Sequence, residues 1–265
     1  MVRLGQNFLA DTNLLDAIVR ESEAQAGEVV LEVGGGEGVL SERLAPLVEK
    51  LWVIELDEGL RPRLEELAEA NPAIELRFGD AMHLDLAGLD PAPTRMVSNL
   101  PYGVATPVIL KTIAELPSLR SWTVMVQREI ADRMRAVPGT KAYGSPSVMV
   151  QLACTAKMLR KVDPAVFKPR PRVESAVLRL DRVGEWPGKR VEALVRASFA
   201  QRRKTLARSA SGAGFASREQ ILAALESLEL APTVRAEQLE PGVFVELDEA
   251  ISRVVLGEQE AAGVG

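Results

Sequence analysis

Asn99-Leu100-Pro101-Tyr102 places an amide, a backbone carbonyl and an aromatic ring within four residues. Pro101 fixes its own φ and has no N–H, and it drives Leu100 towards extended geometry. The Leu100 carbonyl is thereby held beside the Asn99 amide oxygen. Two fixed acceptors suit an exocyclic amino group, which carries two N–H donors. Tyr102 adds a π-face on which an unstacked base could rest. The same four residues can also form an ordinary strand-ending turn, so their context decides between the two.

That context is a series of strand ends. Met96-Val97-Ser98 reads as a buried strand leading into Asn99. Val29–Val33 is a β-branched run that opens into Gly34-Gly35-Gly36-Glu37-Gly38. A helix is expected next, with Leu40, Leu44 and Leu47 on one face and Ser41 near its start. Strand, glycine turn and helix form the nucleotide-binding unit of a doubly wound sheet. Val39 at the sixth place departs from the strict dinucleotide form. The next strand ends at Glu55, with Asp57 two residues on, where an acid meets ribose hydroxyls in NAD and S-adenosylmethionine sites alike. A third strand, Ile74–Phe78, leads into Gly79-Asp80-Ala81-Met82. There a carboxylate could accept from an adenine amino group while an apolar residue packs on the ring. Four consecutive strand ends therefore carry polar or glycine residues at one edge, where open α/β sheets bind ligands.

Taken in order, the motifs resemble the ribosomal RNA adenine dimethyltransferase family, the KsgA type that modifies small-subunit RNA. The Asn-Leu-Pro-Tyr loop is similar to the signature of adenine-N6 methyltransferases. The other matching stretches run from Gly5-Gln6-Asn7-Phe8-Leu9 through the glycine turn, Glu55-Leu56-Asp57 and Gly79-Asp80-Ala81. They continue with Val126–Glu129, Pro138–Gly144, Phe167–Ser175 and Phe199–Leu206, and span nearly the whole chain. The resemblance implies S-adenosylmethionine as cofactor, with Asn7 and Leu9 closing over it and Gly34 and Gly36 approaching its methionine portion. It further implies that Glu55 holds the ribose and that Asp80 and Ala81 take the adenine. Asn99 would present the target amine beside the Leu100 carbonyl fixed by Pro101, with Tyr102 and Phe167 sandwiching the base. The implied substrate is 16S rRNA within the immature 30S subunit, at two adjacent adenosines of its 3′-terminal hairpin. Two departures stand out. Gly35 replaces a frequent proline, which should loosen the turn, and only Met1-Val2-Arg3-Leu4 precede Gly5 where the family has a basic extension.

Composition bounds the remainder. The 265 residues suit one large domain and a small one. No apolar run approaches the roughly 20 residues of a membrane helix and no secretory signal is visible, so a cytoplasmic protein with no membrane partner is expected. Cys154, the only cysteine, lies in an apolar strand-like run (148–153) and reads as a buried small hydrophobe. With His83 the only histidine, neither a metal site nor a Ser/His/Asp arrangement is expected; His83 reads as a loop residue.

Net charge is −5, yet residues 157–208 carry 15 Lys/Arg against 5 Asp/Glu, a net of +10. Such asymmetry marks a candidate nucleic-acid face rather than a merely solvated run. RNA backbone contact is expected from Lys168, Arg170 and Arg172 in a proline-spaced loop. It is also expected from Arg202, Arg203 and Lys204 within a helical segment.

The fold class expected is α/β: a Rossmann-like class I methyltransferase sheet of seven strands, with a small C-terminal all-helical domain. Residues 1–183 would form the methyltransferase domain, 184–188 a linker, 189–256 the helical domain and 257–265 a disordered tail. The last strand, Val173–Leu180, is expected antiparallel by family resemblance. Helices are expected at Val191–Ala207, Ser217–Ser227 (with a Ser-x-x-Gln capping box), Thr233–Leu239 and Val243–Val255. The protein is expected to be a monomer. Three other functions fit parts of the pattern: a resistance methyltransferase acting on large-subunit RNA, a ribosome-assembly checkpoint, and an NAD-dependent oxidoreductase. The last leaves Asn99–Tyr102 and the basic segment without a role.

Overall fold

The computed structural model describes residues 8–9 and 11–263; Asn7 lies outside them. Elements follow in the order β1 (Phe8–Leu9), α1 (Thr12–Ser22), β2 (Val29–Val33), α2 (Ser41–Leu44), β3 (Lys50–Glu55), α3 (Arg61–Ala70), β4 (Ile74–Phe78), β5 (Arg95–Asn99) and α4 (Ala105–Glu115). Then come β6 (Ser121–Gln127), α5 (Arg128–Met134), α6 (Ser145–Ala153), β7 (Cys154–Val162), β8 (Phe167–Lys168) and β9 (Ser175–Arg182). The remaining helices are α7 (Lys189–Phe199), α8 (Leu206–Gly212), α9 (Arg218–Ser227) and α10 (Pro241–Gly263).

One seven-stranded sheet has the order β4-β3-β2-β5-β6-β9-β7. The first five strands are mutually parallel, and β9 runs antiparallel to both β6 and β7. β2 and β3 are buried on both faces, which is why their sequences are apolar at nearly every interior position, Glu32 excepted. β1 pairs with β8 in a separate two-stranded ribbon.

The chain forms two compact units that do not follow sequence order. One comprises residues up to 132 and 154–183; the other comprises 133–153 and 184–265. Chain order alone places 133–153 in the methyltransferase domain, within an unbroken segment 1–183. These residues belong with the C-terminal helices because α6 packs on α7 and α10, and the Tyr143 hydroxyl donates to the Leu239 carbonyl at 2.8 Å.

The run 148–153 is helix α6, with Pro146 in its first turn, and the strand begins only at Cys154. A short apolar run does not reveal its period, so sequence could not separate the two. The helix after the glycine turn lasts one turn before a 3₁₀ segment containing Pro46, which leaves Leu47 43% exposed while Leu40 and Leu44 are buried. The expected helix 191–207 breaks after Phe199, because Thr205 caps a new helix by accepting from the Arg208 N–H. Thr233–Leu239 holds only a 3₁₀ turn at Ala236–Gln238. Ser217 and Gln220 do form a reciprocal capping box. The tail expected to be disordered from Gly257 is helical to Gly263.

Candidate active site

The sheet parts between β2 and β5, where the strand order reverses and ligands bind in such sheets. These strands pair only at Val30–Arg95 and Leu31–Met96. Further along, the Val33 N–H donates to Ser98 Oγ at 2.9 Å. Beyond that point β2 follows β3, with the Gly34 N–H on the Ile54 carbonyl at 2.8 Å. β5 follows β6 through Asn99–Met125, and the Leu100 N–H donates to the Met125 carbonyl at 3.0 Å. The divergence opens a cavity of about 190 Å³ lined by Gly34, Glu55, Leu56, Asp80, Ala81 and Val104, among others.

Gly34 has φ +82°, and a β-carbon there would lie 3.2 Å from Pro101 Cδ and 3.5 Å from the Asn99 carbonyl oxygen. The glycine turn and the Asn99–Tyr102 loop are therefore in contact. At Gly35 a β-carbon would come 2.5 Å from Val53 Cγ1. The turn is not loose at Gly35: the Gly38 N–H closes on the Gly35 carbonyl at 2.9 Å, and this chain's packing is built around the bare glycine.

Glu55 anchors the turn. Its Oε2 accepts from the Gly36 N–H, and its Oε1 from the Leu56 and Asp57 N–H groups, all at 2.8 Å. Three of about four acceptor positions are thus spent on backbone, leaving room for roughly one ribose hydroxyl. Sequence reasoning missed Glu32, an acid inside an otherwise apolar strand, although that oddity was visible. Glu32 is buried, accepts from the Ser41 hydroxyl at 2.6 Å, and is pushed by burial to a pKa of about 8.

Asp80 Oδ1 accepts from the Met82 N–H at 2.8 Å, and Oδ2 lies 3.0 Å from His83 Nδ1. His83 itself is an exposed turn residue. Lys111 on α4 donates to the Met82 and Leu84 carbonyls at 3.0 Å, tying this loop to the helix that follows Asn99–Tyr102. Ala81 is buried at the cavity wall. Leu9 is buried in the apolar core together with Phe167, which it pairs across β1 and β8, and it does not line the cavity.

Asn99 is half-buried at the cleft, Leu100 is buried and Pro101 is exposed. The Tyr102 hydroxyl and Ser175 Oγ are 2.6 Å apart. The Tyr102 and Phe167 rings meet edge-on, with centroids 6.5 Å apart and planes at 74°. Phe167 is only 2% exposed. The expected sandwich is therefore absent from this conformation: its walls touch each other, and one is buried.

Among the basic residues, Lys168, Arg170 and Arg172 are exposed in the first unit, with Arg170 lying 3.7 Å from Asp163. In the second unit Arg203 and Lys204 are exposed in the turn before α8. Arg202 is exposed as well, and it also donates to the Lys141 carbonyl and to Glu237, both at 3.0 Å. The +10 segment is also less free than its count implies. Arg160 pairs with Glu21, Arg179 with Glu23 and Asp181, and Arg190 with Asp248. Arg182 donates to the Ile113, Leu116 and Leu119 carbonyls near the end of α4. Cys154 is buried, its thiol pushed up to about 12. Among the described residues no group of three or more His, Cys, Asp or Glu is placed to hold a metal, and no helix is long and apolar enough to cross a membrane.

A family model for ribosomal RNA adenine dimethylases matches residues 2–251. The chain belongs to that family.

Within the family, ribosomal RNA small subunit methyltransferase A of Rubrobacter xylanophilus is 39% identical over 252 residues, covering 94% of each chain. The protein of the same name from Rhodococcus erythropolis is 41% identical over 261 residues, covering 92% of this chain and 86% of its own. The crystal structure of a dimethyladenosine transferase from Plasmodium falciparum has the same fold, with a TM-score of 0.78 at 24% identity over 93% of this chain and 98% of that one. The 23S rRNA methyltransferase ErmE matches with a TM-score of 0.65 at 28% identity, over 93% of this chain and all of that one. As a member of this family the chain is an rRNA adenine dimethyltransferase with a Rossmann-like sheet.

Proposed function

We propose that the cleft between β2 and β5 binds S-adenosylmethionine and that the protein dimethylates N6 of two adjacent adenosines in the 3′-terminal hairpin of 16S rRNA during small-subunit assembly. One observation carries the reading: the Asn99–Tyr102 loop packs on the glycine turn at Gly34, with 3.2 Å between Pro101 Cδ and a β-carbon built there. A ligand on the turn and a base on the loop would meet across that contact.

The residues present fit the cofactor. The Glu55 carboxylate retains an acceptor for a ribose hydroxyl, and Asp80 beside Ala81 offers an acceptor next to an apolar wall for adenine. When bound, the cofactor supplies an electrophilic methyl group. The protein's own contribution is to the amine. Adenine N6 is a weak nucleophile because its lone pair is delocalised into the ring. Hydrogen bonds from its two N–H groups to Asn99 Oδ1 and the Leu100 carbonyl favour a pyramidal nitrogen, so the loop binds the reacting geometry better than the resting one. No general base is needed at the attack, since the proton leaves after the amine becomes cationic.

Lys168, Arg170, Arg172, Arg203 and Lys204 serve as phosphate contacts on their respective units. Arg202 acts by holding the loop at Lys141 in place. The protein works in the cytoplasm, as a monomer, on the immature 30S subunit. Greater identity to the small-subunit enzymes than to ErmE favours this RNA over large-subunit RNA.

The test is Asn99→Ala. It is expected to lose turnover on under-methylated 30S subunits while calorimetric affinity for S-adenosylmethionine stays within threefold. A near-normal rate would remove the mechanism.

A further inference from the structure

Tyr102 and Ser175 are separated by 73 residues, yet their hydroxyl oxygens are 2.6 Å apart. The two ends of this hydrogen bond differ in rigidity. Ser175 is fully buried and held by strand pairing on both sides, opposite Gln127 of β6 and opposite Val162 of β7. Its neighbour Glu174 is fixed as well, its carbonyl accepting from the Arg128 N–H at 2.9 Å. Tyr102 is half-buried in a loop outside any ladder, one residue after the exposed Pro101. The phenol ring is thus restrained at two points, its hydroxyl on Ser175 and its edge-on contact with buried Phe167. The hydroxyl bond pins the tip of the ring and so the direction of its Cβ–Oη axis, while the edge-on contact with Phe167 sets the plane about that axis.

We propose that Ser175 is a positioning residue for base capture: it fastens the Tyr102 ring to the sheet and so sets the surface on which the target adenine stacks. This rests on the proposed reaction, and it changes the part assigned to Phe167. Phe167 buttresses Tyr102 from the side and is not the opposing wall of a preformed slot. A preset ring spares the ordering cost of capturing a flipped base. The effect is therefore expected in RNA binding and not in cofactor binding.

The experiment is a double-mutant cycle on the full chain with Ser175→Ala, Tyr102→Phe and the double variant, each retaining the ring. Methyl transfer to under-methylated 30S subunits gives kcat and KM. Quenching of 2-aminopurine, placed at the target adenosine of a 3′-hairpin RNA, reports stacking without turnover. Each single variant is expected to raise KM for RNA about 5- to 20-fold and to reduce the quench, with kcat and calorimetric cofactor affinity within threefold of wild type. The double variant is expected to be no worse than the worse single. Multiplying effects in the double variant, or a quench equal to wild type in Ser175→Ala, would overturn the proposal. So would a matching loss of cofactor affinity, which marks general structural damage. Failure of the wild-type protein to methylate the RNA would instead sink the reaction itself, while the quench cycle would still decide the role of Ser175.

Discussion

Gly34→Ala separates two consequences of one added methyl group. The first is strain. At φ +82° an L-residue pays roughly 1–2 kcal/mol. For a protein of this size that lowers Tm by about 2–8 °C. The second is displacement. The new β-carbon would sit 3.2 Å from Pro101 Cδ and 3.5 Å from the Asn99 carbonyl, so the acceptor loop must retreat by a few tenths of an ångström. A misplacement of 1 Å can cost about 100-fold in rate, so a shift of this size should cost roughly 3- to 10-fold in kcat. Gly27→Ala supplies the control, because Gly27 has φ +83° with nothing within 4 Å of its would-be β-carbon. The assay pairs calorimetric Tm with methyl transfer at saturating RNA and cofactor. Both variants are expected to lose similar stability, and only Gly34→Ala to lose kcat. Equal kcat in the two would refute the claim that the glycine turn and the Asn99 loop set each other's position.

Three further outcomes are expected. Glu32 is held protonated by burial, its pKa raised from 4.5 to about 8, so the folded state binds more protons than the unfolded one between those values. Stability from this group is complete below about pH 4.5 and is lost progressively as pH rises towards 8. Glu32→Gln should flatten the Tm–pH curve over that window, and parallel curves would contradict the assignment. Phe167→Ala removes a buried ring and should cost about 3–5 kcal/mol of stability by denaturant titration; a loss confined to RNA binding would mean that the ring is more open than described. Arg203→Ala should weaken RNA binding and reduce the salt slope by about 0.7–0.9, leaving Tm unchanged, whereas Arg202→Ala should lower Tm through loss of the Lys141 and Glu237 contacts. Identical behaviour of the two arginine variants would remove that distinction.

The cleft was legible in sequence because its parts are local. A glycine run after a β-branched strand, acids at the following strand ends and a proline-fixed Asn–Tyr loop each announce themselves within about five residues. What sequence missed depends on partners far along the chain. Ser175 looks like one more strand serine until Tyr102 is found beside it. Arg202 and Arg203 are indistinguishable until Glu237 folds next to one of them. The run 148–153 is apolar at nearly every position, so only the packing of its neighbours chooses helix over strand. The same helix explains why the compact units cross the chain order: Tyr143 and α6 are bonded to and packed on elements that begin more than 40 residues later. The basic segment misled by count, since several of its arginines serve as internal ion pairs and helix-end donors.

The proposed reaction is methylation of adenine N6 in small-subunit RNA. Its most direct test is transfer of labelled methyl groups from S-adenosylmethionine to under-methylated 30S subunits, fully methylated 30S subunits and large-subunit RNA, with the modified base identified by mass spectrometry. The expected product is N6,N6-dimethyladenosine at two adjacent positions in the under-methylated 30S subunit alone. Label in large-subunit RNA, or no dimethyladenosine in any substrate, would contradict it.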